Sequence, residues 1–339
     1  MANKTARLGD LATYINGYAF KPADWGETGL PIIRIQDLTG NSYQLNRYDG
    51  EYPERIEVND GDVLISWSAS LGVYVWQRGK ALLNQHIFKV VFDKLPVNKD
   101  YFVFAVEHKL AEMESKTHGA TMKHIVKKDF DGTTIPYPPI EKQAEIADHL
   151  RRITSLIDGQ TEQLLLLDQL VKSRFIELFG DPIKNTQHRP TTAFVNVVTM
   201  QRGFDLPVQD REQSGNIPVY GSNGVLDHHN QAKVCNGGVI TGRSGTIGKV
   251  FYTKGAYWPL NTTLFSVDTH ENNIIYLAHL LRMFNLARFT EGTGVPTLNR
   301  NKFHSAPIID VPIDEQNQFA AFVEQTDKSK LCSKMEVAA

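Results

Sequence analysis

Side chains that can bond nucleic acid lie in loop-like segments of both halves of the chain. Arginine, lysine, amide, hydroxyl and aromatic side chains bond base edges and phosphates in protein–DNA complexes. The first half offers Arg34, Gln36, Ser66, Trp67, Ser68, Gln85, His86, Thr117, His118, Lys123 and His124. The second half offers Tyr220, Ser222, Asn223, Arg243, Ser244, Lys249, Asn261, Thr262, Thr297, Asn299, Arg300 and Lys302. We expect Arg243, Arg300 and Lys302 to be the strongest candidates because their segments are rich in glycine, threonine and asparagine.

Several of these residues have an equally good structural interpretation. Trp67 could belong to a hydrophobic core, and His118 and His124 could simply be solvated. The segment from Gly242 to Lys249 invites comparison with a nucleotide-binding loop, but five residues separate its outer glycines and Val250 follows the lysine. The Walker pattern needs four residues and then Lys-Ser/Thr. A tight turn near a DNA phosphate and a plain hairpin both remain open.

Patterns typical of catalysis are weak. An adenine methyltransferase would carry Asn/Asp-Pro-Pro-aromatic, whereas Tyr137 precedes the prolines here. Asp181 is followed by proline as in a helix ending, with no second acid at metal-bridging spacing, and His228 and His229 have no nearby third ligand for zinc. We therefore expect neither catalytic nor metal residues.

The composition is that of a soluble globular protein. The 339 residues include 41% hydrophobic residues and carry a net charge of -2. No apolar run approaches the roughly 20 residues of a membrane span, so we expect a cytoplasmic protein. Two cysteines, Cys235 and Cys332, fit a reducing compartment. A DNA-binding surface would have to lie on one side, or be completed by a partner.

The chain repeats itself. Gly61, Gly72 and Gly79 recur at one constant offset as Gly237, Gly248 and Gly255, with similar residues between them. Pro-Ile-Glu-Lys-Gln at 139–143 and Pro-Ile-Asp-Glu-Gln at 312–316 close the two halves, and a helical pattern follows each. A duplication of this length predicts two related domains rather than a solenoid.

Heptad spacing predicts a helix of about 60 Å between the two domains, from about Ile140 to Phe179. The coiled-coil or partner-facing positions are Ile146, Leu150, Ile153, Ile157, Leu164, Leu167, Val171 and Leu178, together with Phe319 and Phe322 of a C-terminal helix. That second helix begins at Asp314, but its pattern fades after Gln325. We expect it to be about half as long as the first, which would leave part of the stripe from Leu164 to Phe179 uncovered for another protein.

The duplicated domains, the two helices and the junctions that enter them resemble the specificity subunit of type I restriction-modification systems. The segments at 30–38 and 245–249 are also similar to that family. The resemblance implies two target recognition domains that each read half of a split sequence in double-stranded DNA. It also implies that the helices space the halves and dock methyltransferase subunits, and through them the restriction subunit. S-adenosylmethionine would be bound by the methyltransferase, with no cofactor on this chain.

The predicted fold is α+β, with two similar mixed α/β target recognition domains separated by long antiparallel coiled-coil helices in a pseudo-twofold arrangement. The expected division is 1–139 for the first recognition domain, 140–180 for the spacer helix, 181–312 for the second recognition domain and 313–339 for a shortened C-terminal helix. The uncovered helix could also mediate self-association. The alternative functions are a protein-binding scaffold with duplicated domains and a fragment of a DNA-modifying enzyme.

Overall fold

The computed structural model describes residues 4–40, 46–68, 70–116, 127–212, 214–292 and 296–338. The chain divides into two compact units, Met1–Leu156 and Ile157–Ala339. One helix, α5, contributes residues to both units.

The first unit is built from short strands and a few helices. Its strands are β1 (Thr5–Arg7), β2 (Thr13–Asn16), β3 (Leu30–Ile33), β4 (Arg47–Tyr48), β5 (Glu57–Val58), β6 (Val63–Ser66), β7 (Gly72–Val75), β8 (Ala81–Leu83), β9 (Ile87–Val91) and β10 (Thr134–Pro136). Its helices are α1 (Leu8–Leu11), α2 (Ile35–Leu38), α3 (Lys99–Lys116), α4 (Lys127–Gly132) and the start of α5 (Ile140–Phe179).

The first unit contains two four-stranded sheets and the antiparallel pair β1-β10. One is antiparallel in the order β2-β9-β6-β7, and the other has the order β4-β3-β8-β5 with β3 and β8 parallel. The central strand β6 is buried along its whole length, as expected for a strand covered on both faces. A core that includes Val63, Ile65, Phe88 and Phe102 lies on one side of it, and a second core that includes Leu64 lies on the other.

The second unit repeats this construction. Its strands are β11 (Thr191–Ala193), β12 (Thr199–Arg202), β13 (Ile217–Gly221), β14 (Gly224–His229), β15 (Gly238–Gly242), β16 (Val250–Thr253), β17 (Trp258–Pro259), β18 (Thr263–Asp268), β19 (Thr290–Glu291), β20 (Thr297–Leu298) and β21 (Pro307–Ile309). Its helices are α6 (Phe194–Val197), α7 (Ile274–Phe284), α8 (Arg300–His304), α9 (Ile313–Ala338) and the end of α5.

The strand order confirms the duplication. The main sheet of the second unit runs β12-β18-β15-β16, which matches β2-β9-β6-β7, and its parallel pair β13-β17 matches β3-β8. Even the register is kept, because Leu64 lies opposite Lys89 and Ile240 lies opposite Phe265 at the constant offset of the repeated glycines. The two units are therefore copies of one fold with different side chains at equivalent positions.

The glutamine of each Pro-Ile-x-x-Gln junction is a buried latch between a long helix and its domain. In the first unit, Gln143 is 1% exposed. Its Oε1 accepts a hydrogen bond from the backbone N–H of Asn98 (2.9 Å), and its Nε2 donates to the carbonyl of Pro138 (2.9 Å). Asn98 in turn caps α3, since its Oδ1 accepts from the N–H of Tyr101.

The second unit repeats the latch with an additional bond. The side chain of Gln316 accepts from the N–H of Asn273 (2.9 Å) and donates to the carbonyl of Val311 (2.8 Å) and to Oδ1 of Asn272 (2.6 Å). Asn273 caps α7 through the N–H of Ile275. The repeated motif thus exists because an amide can satisfy a backbone donor and a backbone acceptor at once where water is excluded.

The predicted long helix is confirmed from Ile140 to Phe179, and α9 packs against its second half. Phe175 and Phe179 are fully buried, and the ring of Phe319 lies edge-on to both, at 5.4 and 5.6 Å between centroids. Lys330 pairs with Asp168 at 2.7 Å. The two helices are thus in contact along the segment from Asp168 to Phe179.

Parts of the helix prediction are wrong. The stripe from Leu164 to Phe179 has a cover, because α9 is 26 residues long and does not fade at Gln325. Of the predicted seam residues, Val171 and Phe319 are buried, Ile146, Leu150, Leu164, Leu167, Leu178 and Phe322 are half-buried, and Ile153 and Ile157 are exposed. The exposed pair lies on the segment of α5 that precedes its contact with α9.

Candidate nucleic-acid interface

A cleft of about 350 Å³ in the second unit gathers three arginines. Arg202 ends β12, Arg243 directly follows β15, and Arg300 begins α8. Both β12 and β15 pair with β18, where Arg202 and Thr241 lie opposite Leu264 on its two sides. The sheet therefore brings arginines that are distant in sequence to neighbouring strand ends. The other lining residues are Leu264, Glu291, Thr297, Leu298, Asn299 and Asn301.

Backbone hydrogen bonds on both sides fix the position of Arg243. Its N–H donates to the carbonyl of Thr262 (2.8 Å), and its carbonyl accepts from the N–H of Leu298 (2.8 Å). The preceding Gly242 is required by close packing, because a Cβ there would lie 1.8 Å from the carbonyl oxygen of Thr246. The arginine thus projects from a preorganised turn, which lowers the entropy lost when it binds.

The start of α8 is anchored in the same way. The side chain of Asn299 caps the helix by accepting a hydrogen bond from the N–H of Asn301 (3.1 Å). Phe303 is fully buried, with its ring edge-on to Phe194 at 4.8 Å between centroids. Cap and anchor together hold Arg300 at the cleft.

The cleft carries an excess of positive charge. Glu291 is the one acid among its described lining residues, and Lys302 forms an ion pair with it. In the part of the chain that the structure describes, no carboxylate forms an ion pair with Arg202, Arg243 or Arg300. The arginines are therefore available for an external acceptor such as a base edge or a phosphate.

The nearby His304 does not add to this charge. Burial is the main cause that lowers the pKa of its imidazole, and the Arg300 guanidinium lowers it further. The N–H of Met200 donates to Nε2 of His304 (3.3 Å), which requires that nitrogen to be unprotonated. The positive potential of the cleft thus comes from the arginines.

The remaining polar candidates of the second unit cluster around two turns. The Nζ of Lys249 donates to Oδ1 of Asn223 (2.7 Å), which links the loop after β15 to the turn between β13 and β14, where Ser222 also lies. Asn261 donates to the carboxylate of Asp205. Thr262 and Ser244 are half-buried beside Arg243.

Two predicted contact residues are buried instead. Ser66 is 0% exposed, and its hydroxyl donates to the carbonyl of Ser70 (2.6 Å), so it closes a turn. Tyr220 is 8% exposed and belongs to an aromatic cluster in which its ring lies edge-on to Tyr257. The prediction that these side chains face DNA is wrong, because each lies at a strand position that points into the protein.

In the first unit, the predicted residues Arg34, Trp67 and His86 have internal partners. The guanidinium of Arg34 pairs with Asp37 (3.6 Å), whose carboxylate also accepts from the N–H of Arg34. The indole of Trp67 stacks on Phe88 at 5.5 Å and meets the ring of His86 at 5.0 Å. Trp67 is therefore an edge of the core, which was the alternative interpretation from sequence.

The other first-unit candidates differ in how far the structure describes them. Gln36 and Ser68 are half-buried, and Gln85 is exposed in the turn before β9. Thr117, His118, Lys123 and His124 lie outside the described residues.

The cleft brings together four predicted residues, Arg243, Thr297, Asn299 and Arg300. A fifth, Lys302, is connected to the cleft by its ion pair with Glu291. Sequence reasoning missed Arg202, Glu291 and Asn301. Arg202 lies opposite Leu264 as Asn16 lies opposite Phe88 in the first copy, but this equivalence exists only in the strand register and not at the constant offset of the glycines. The sequence therefore held no signal for Arg202 or for Glu291.

The described part of the chain offers neither a membrane-spanning helix nor a cluster of metal ligands. None of its helices combines the length and apolar character of a membrane span. Within the same residues, no group of three histidine, cysteine or acidic side chains is arranged to hold a metal ion. His229, one of the histidines considered from sequence, is buried and accepts a hydrogen bond from the N–H of Glu212 (3.2 Å).

Comparison with known proteins identifies the family. The model of the type I restriction modification DNA specificity domain matches residues 2–166 and again 196–335. The chain belongs to this family. The two matches coincide with the two halves of the duplication, so each unit carries one copy of the specificity domain.

The relatives that match this chain carry the same family name. The specificity subunit of the type I restriction enzyme EcoBI from Escherichia coli is 29% identical over 168 residues, which is 49% of this chain and 35% of that protein. The MjaVIII specificity subunit from Methanocaldococcus jannaschii is 26% identical over 180 residues, 52% of this chain and 41% of that protein. The matched region thus spans less than half the length of each relative.

A solved structure shows the fold over nearly the whole chain. The S subunit of a type I restriction-modification system from M. genitalium superimposes with a TM-score of 0.66. The match covers 99% of this chain and 92% of that one at 13% sequence identity. The two-domain α+β architecture predicted from the sequence is therefore confirmed.

Proposed function

We propose that this chain is a DNA specificity subunit of a type I restriction-modification complex, in which each unit reads one half of a split duplex sequence. The observation that carries the proposal is the arginine cleft of the second unit, which lies at the strand ends of a DNA specificity domain. Arginines without internal carboxylate partners are suited to base edges and phosphates. The net charge of -2 does not conflict with this, because the positive charge is local.

The helices have a separate role in the proposal. Two readers on one duplex must be spaced by a set number of base pairs, which a stiff helix can enforce and a flexible linker cannot. Leu165, Leu166 and Leu170 of α5 and Leu331 of α9 are between 49% and 59% exposed. We assign these apolar side chains to the docking of methyltransferase subunits, which would bind S-adenosylmethionine, methylate the target and connect the complex to the restriction subunit.

Methylation-site mapping tests the proposal directly. Cells that carry this chain with its methyltransferase partner should methylate one bipartite sequence, and cells that lack the chain should not. If the chain is instead a protein-binding scaffold, cells with and without it should show the same methylation pattern. The partner should be present because phosphate contacts in the assembled complex add affinity that one nearly neutral chain lacks.

A helix insertion tests the spacing role. Seven residues inserted between Leu156 and Gly159 would lengthen α5 by about 10 Å at 1.5 Å per residue. The mapped target should then gain about three unread base pairs while both half-site sequences stay the same. As a control, Gly159→Ala at the same place should leave the spacing unchanged, since a Cβ there meets open space. Retention of the original spacing by the insertion variant would disprove the role assigned to the helix.

A further inference from the structure

The lining of the arginine cleft combines hydrogen-bond donors with an acceptor, and this combination restricts its ligand. Arg202, Arg243 and Arg300 can only donate, whereas the carboxylate of Glu291 can only accept. A phosphate group carries acceptors only, so it would leave the carboxylate of Glu291 without a donor from the ligand. A ligand that fits must present acceptors and a donor side by side.

A G·C base pair presents that pattern in the major groove. Guanine offers the O6 and N7 acceptors, to which arginine bonds in bidentate fashion, and cytosine offers the N4 amino donor, which a glutamate accepts. We infer that this cleft reads the edge of a G·C pair, with Arg243 on the guanine and Glu291 on the cytosine. The inference rests on the proposed function and names the base pair that the second unit requires.

Arg243 is assigned to the guanine because its backbone is held on both sides although it lies outside a strand. Hydrogen bonds to Thr262 and Leu298 hold it on both sides. The floor of the cleft is apolar, with Leu264 and Leu298 at 2% and 1% exposure. Water competes less well for hydrogen bonds above such a floor, so a wrong base would leave the arginine without a partner.

Glu291 is also held in place. Lys302 engages its Oε1, and no hydrogen bond joins Oε2 to a described side chain. The ion pair orients the carboxylate and leaves the second oxygen for the cytosine amino group. Lys302, which sequence analysis placed among the DNA contacts, then acts as a positioning residue for Glu291.

The first unit has different residues at the equivalent positions. At the constant offset of the duplication, Trp67 occupies the position of Arg243. In the strand register, Asn16, which lies opposite Phe88, occupies the position of Arg202, which lies opposite Leu264. Trp67 is stacked on Phe88. The G·C requirement therefore belongs to the half-site of the second unit.

Base analogues test the inference on the complete methyltransferase complex. Each guanine of the mapped target is replaced in turn by 7-deazaguanine, which lacks N7, or by inosine, which keeps O6 and N7 but lacks the minor-groove amino group. At one guanine, 7-deazaguanine should weaken the affinity of the complex for the DNA by about tenfold to hundredfold, whereas inosine should leave that affinity unchanged. A half-site of the second unit with no such guanine would overturn the inference.

Variants assign the effect to the cleft. Arg243→Gln should lose preference at that one base pair, whereas Lys184→Gln, which removes an exposed charge outside the cleft, should keep it. Equal weakening on all sequences with the base preference intact would show that Arg243 contacts a phosphate and would overturn the assignment. If the wild-type complex selects no bipartite sequence at all, the proposed function fails instead. The analogue experiment uses wild-type protein, so it does not depend on the folding of a variant.

Discussion

The glutamine latch of the second unit gives a quantitative prediction for Gln316→Ala. The substitution removes three hydrogen bonds and leaves the N–H of Asn273 and the carbonyl of Val311 without their partner. Each buried group without a partner costs about 1–3 kcal/mol. Asn272 is half-buried and can turn toward water, so its lost bond adds little. The free energy of unfolding of the second unit should fall by about 3 kcal/mol.

Thermal unfolding and hydrogen exchange measure this effect. For a unit of this size, about 3 kcal/mol corresponds to a fall in Tm of roughly 6–12 °C. Amide exchange should accelerate at the start of α7, because Asn273 caps that helix. The transition of the first unit should not move, which separates a local effect from a general one.

The matched control is Gln318→Ala, an exposed glutamine on the same helix, for which a change within about 0.5 kcal/mol is expected. Gln143→Ala should reproduce the effect in the first unit, where two hydrogen bonds are lost. If Gln316→Ala and Gln318→Ala unfold alike, the latch does not stabilise the junction and the explanation of the repeated motif is refuted.

Three further predictions concern the helices. Phe319→Ala should lower stability by about 3–5 kcal/mol in urea unfolding, because its ring packs between Phe175 and Phe179. Gly159→Ala should raise helix stability by about 0.5–1 kcal/mol, measured in the same assay. Burial above all, with Arg282 nearby, lowers the pKa of His279 to about 3 from an ordinary value near 6.5. Between these two values the unfolded chain binds a proton at this histidine and the folded chain does not, so the free energy of unfolding should fall as the pH drops from about 6.5 toward 3. His279→Gln should reduce that loss. The measurement compares urea midpoints of both proteins at pH 7 and pH 4.5.

The duplication and the first long helix were predictable because both leave strong patterns in the sequence. Glycines at a constant offset survive where a turn or a close approach needs them, as at Gly61 and Gly237, which both have positive φ. The ends of α5 were marked by its junction and by the glycine and proline that follow Phe179. These signals are local or repeated, so one sequence contains them.

The second helix, α9, was predicted too short because the residues of its heptad seam change from apolar to polar along the helix. Phe319 and Val323 begin a heptad that continues through Thr326, Lys330 and Ser333. Thr326 and Ser333 are 5% and 6% exposed, and their hydroxyls donate to carbonyls of their own helix. A search for apolar periodicity cannot see such a seam, since its polar residues are satisfied only in the folded structure.

The candidate site was predictable in part. The residue types and loop positions pointed to Arg243 and Arg300, but the cleft depends on β18 pairing with both β12 and β15, which brings Arg202 beside them. Ser66 and Tyr220 were misassigned because residue type does not reveal which side of a strand faces inward. The role of Glu291 depends on Lys302, eleven positions later, and on a loop geometry that no local pattern encodes.

The shared strand register has a consequence for how such a protein changes over time. Backbone pairing holds both copies of the fold, while the residue that follows the central strand is tryptophan in one and arginine in the other. The backbone of the fold is thus kept while the side chain at this strand end differs between the copies. Because the tryptophan stacks on Phe88 whereas the arginine lines an open cleft, the same strand end belongs to the core in one copy and to the surface in the other.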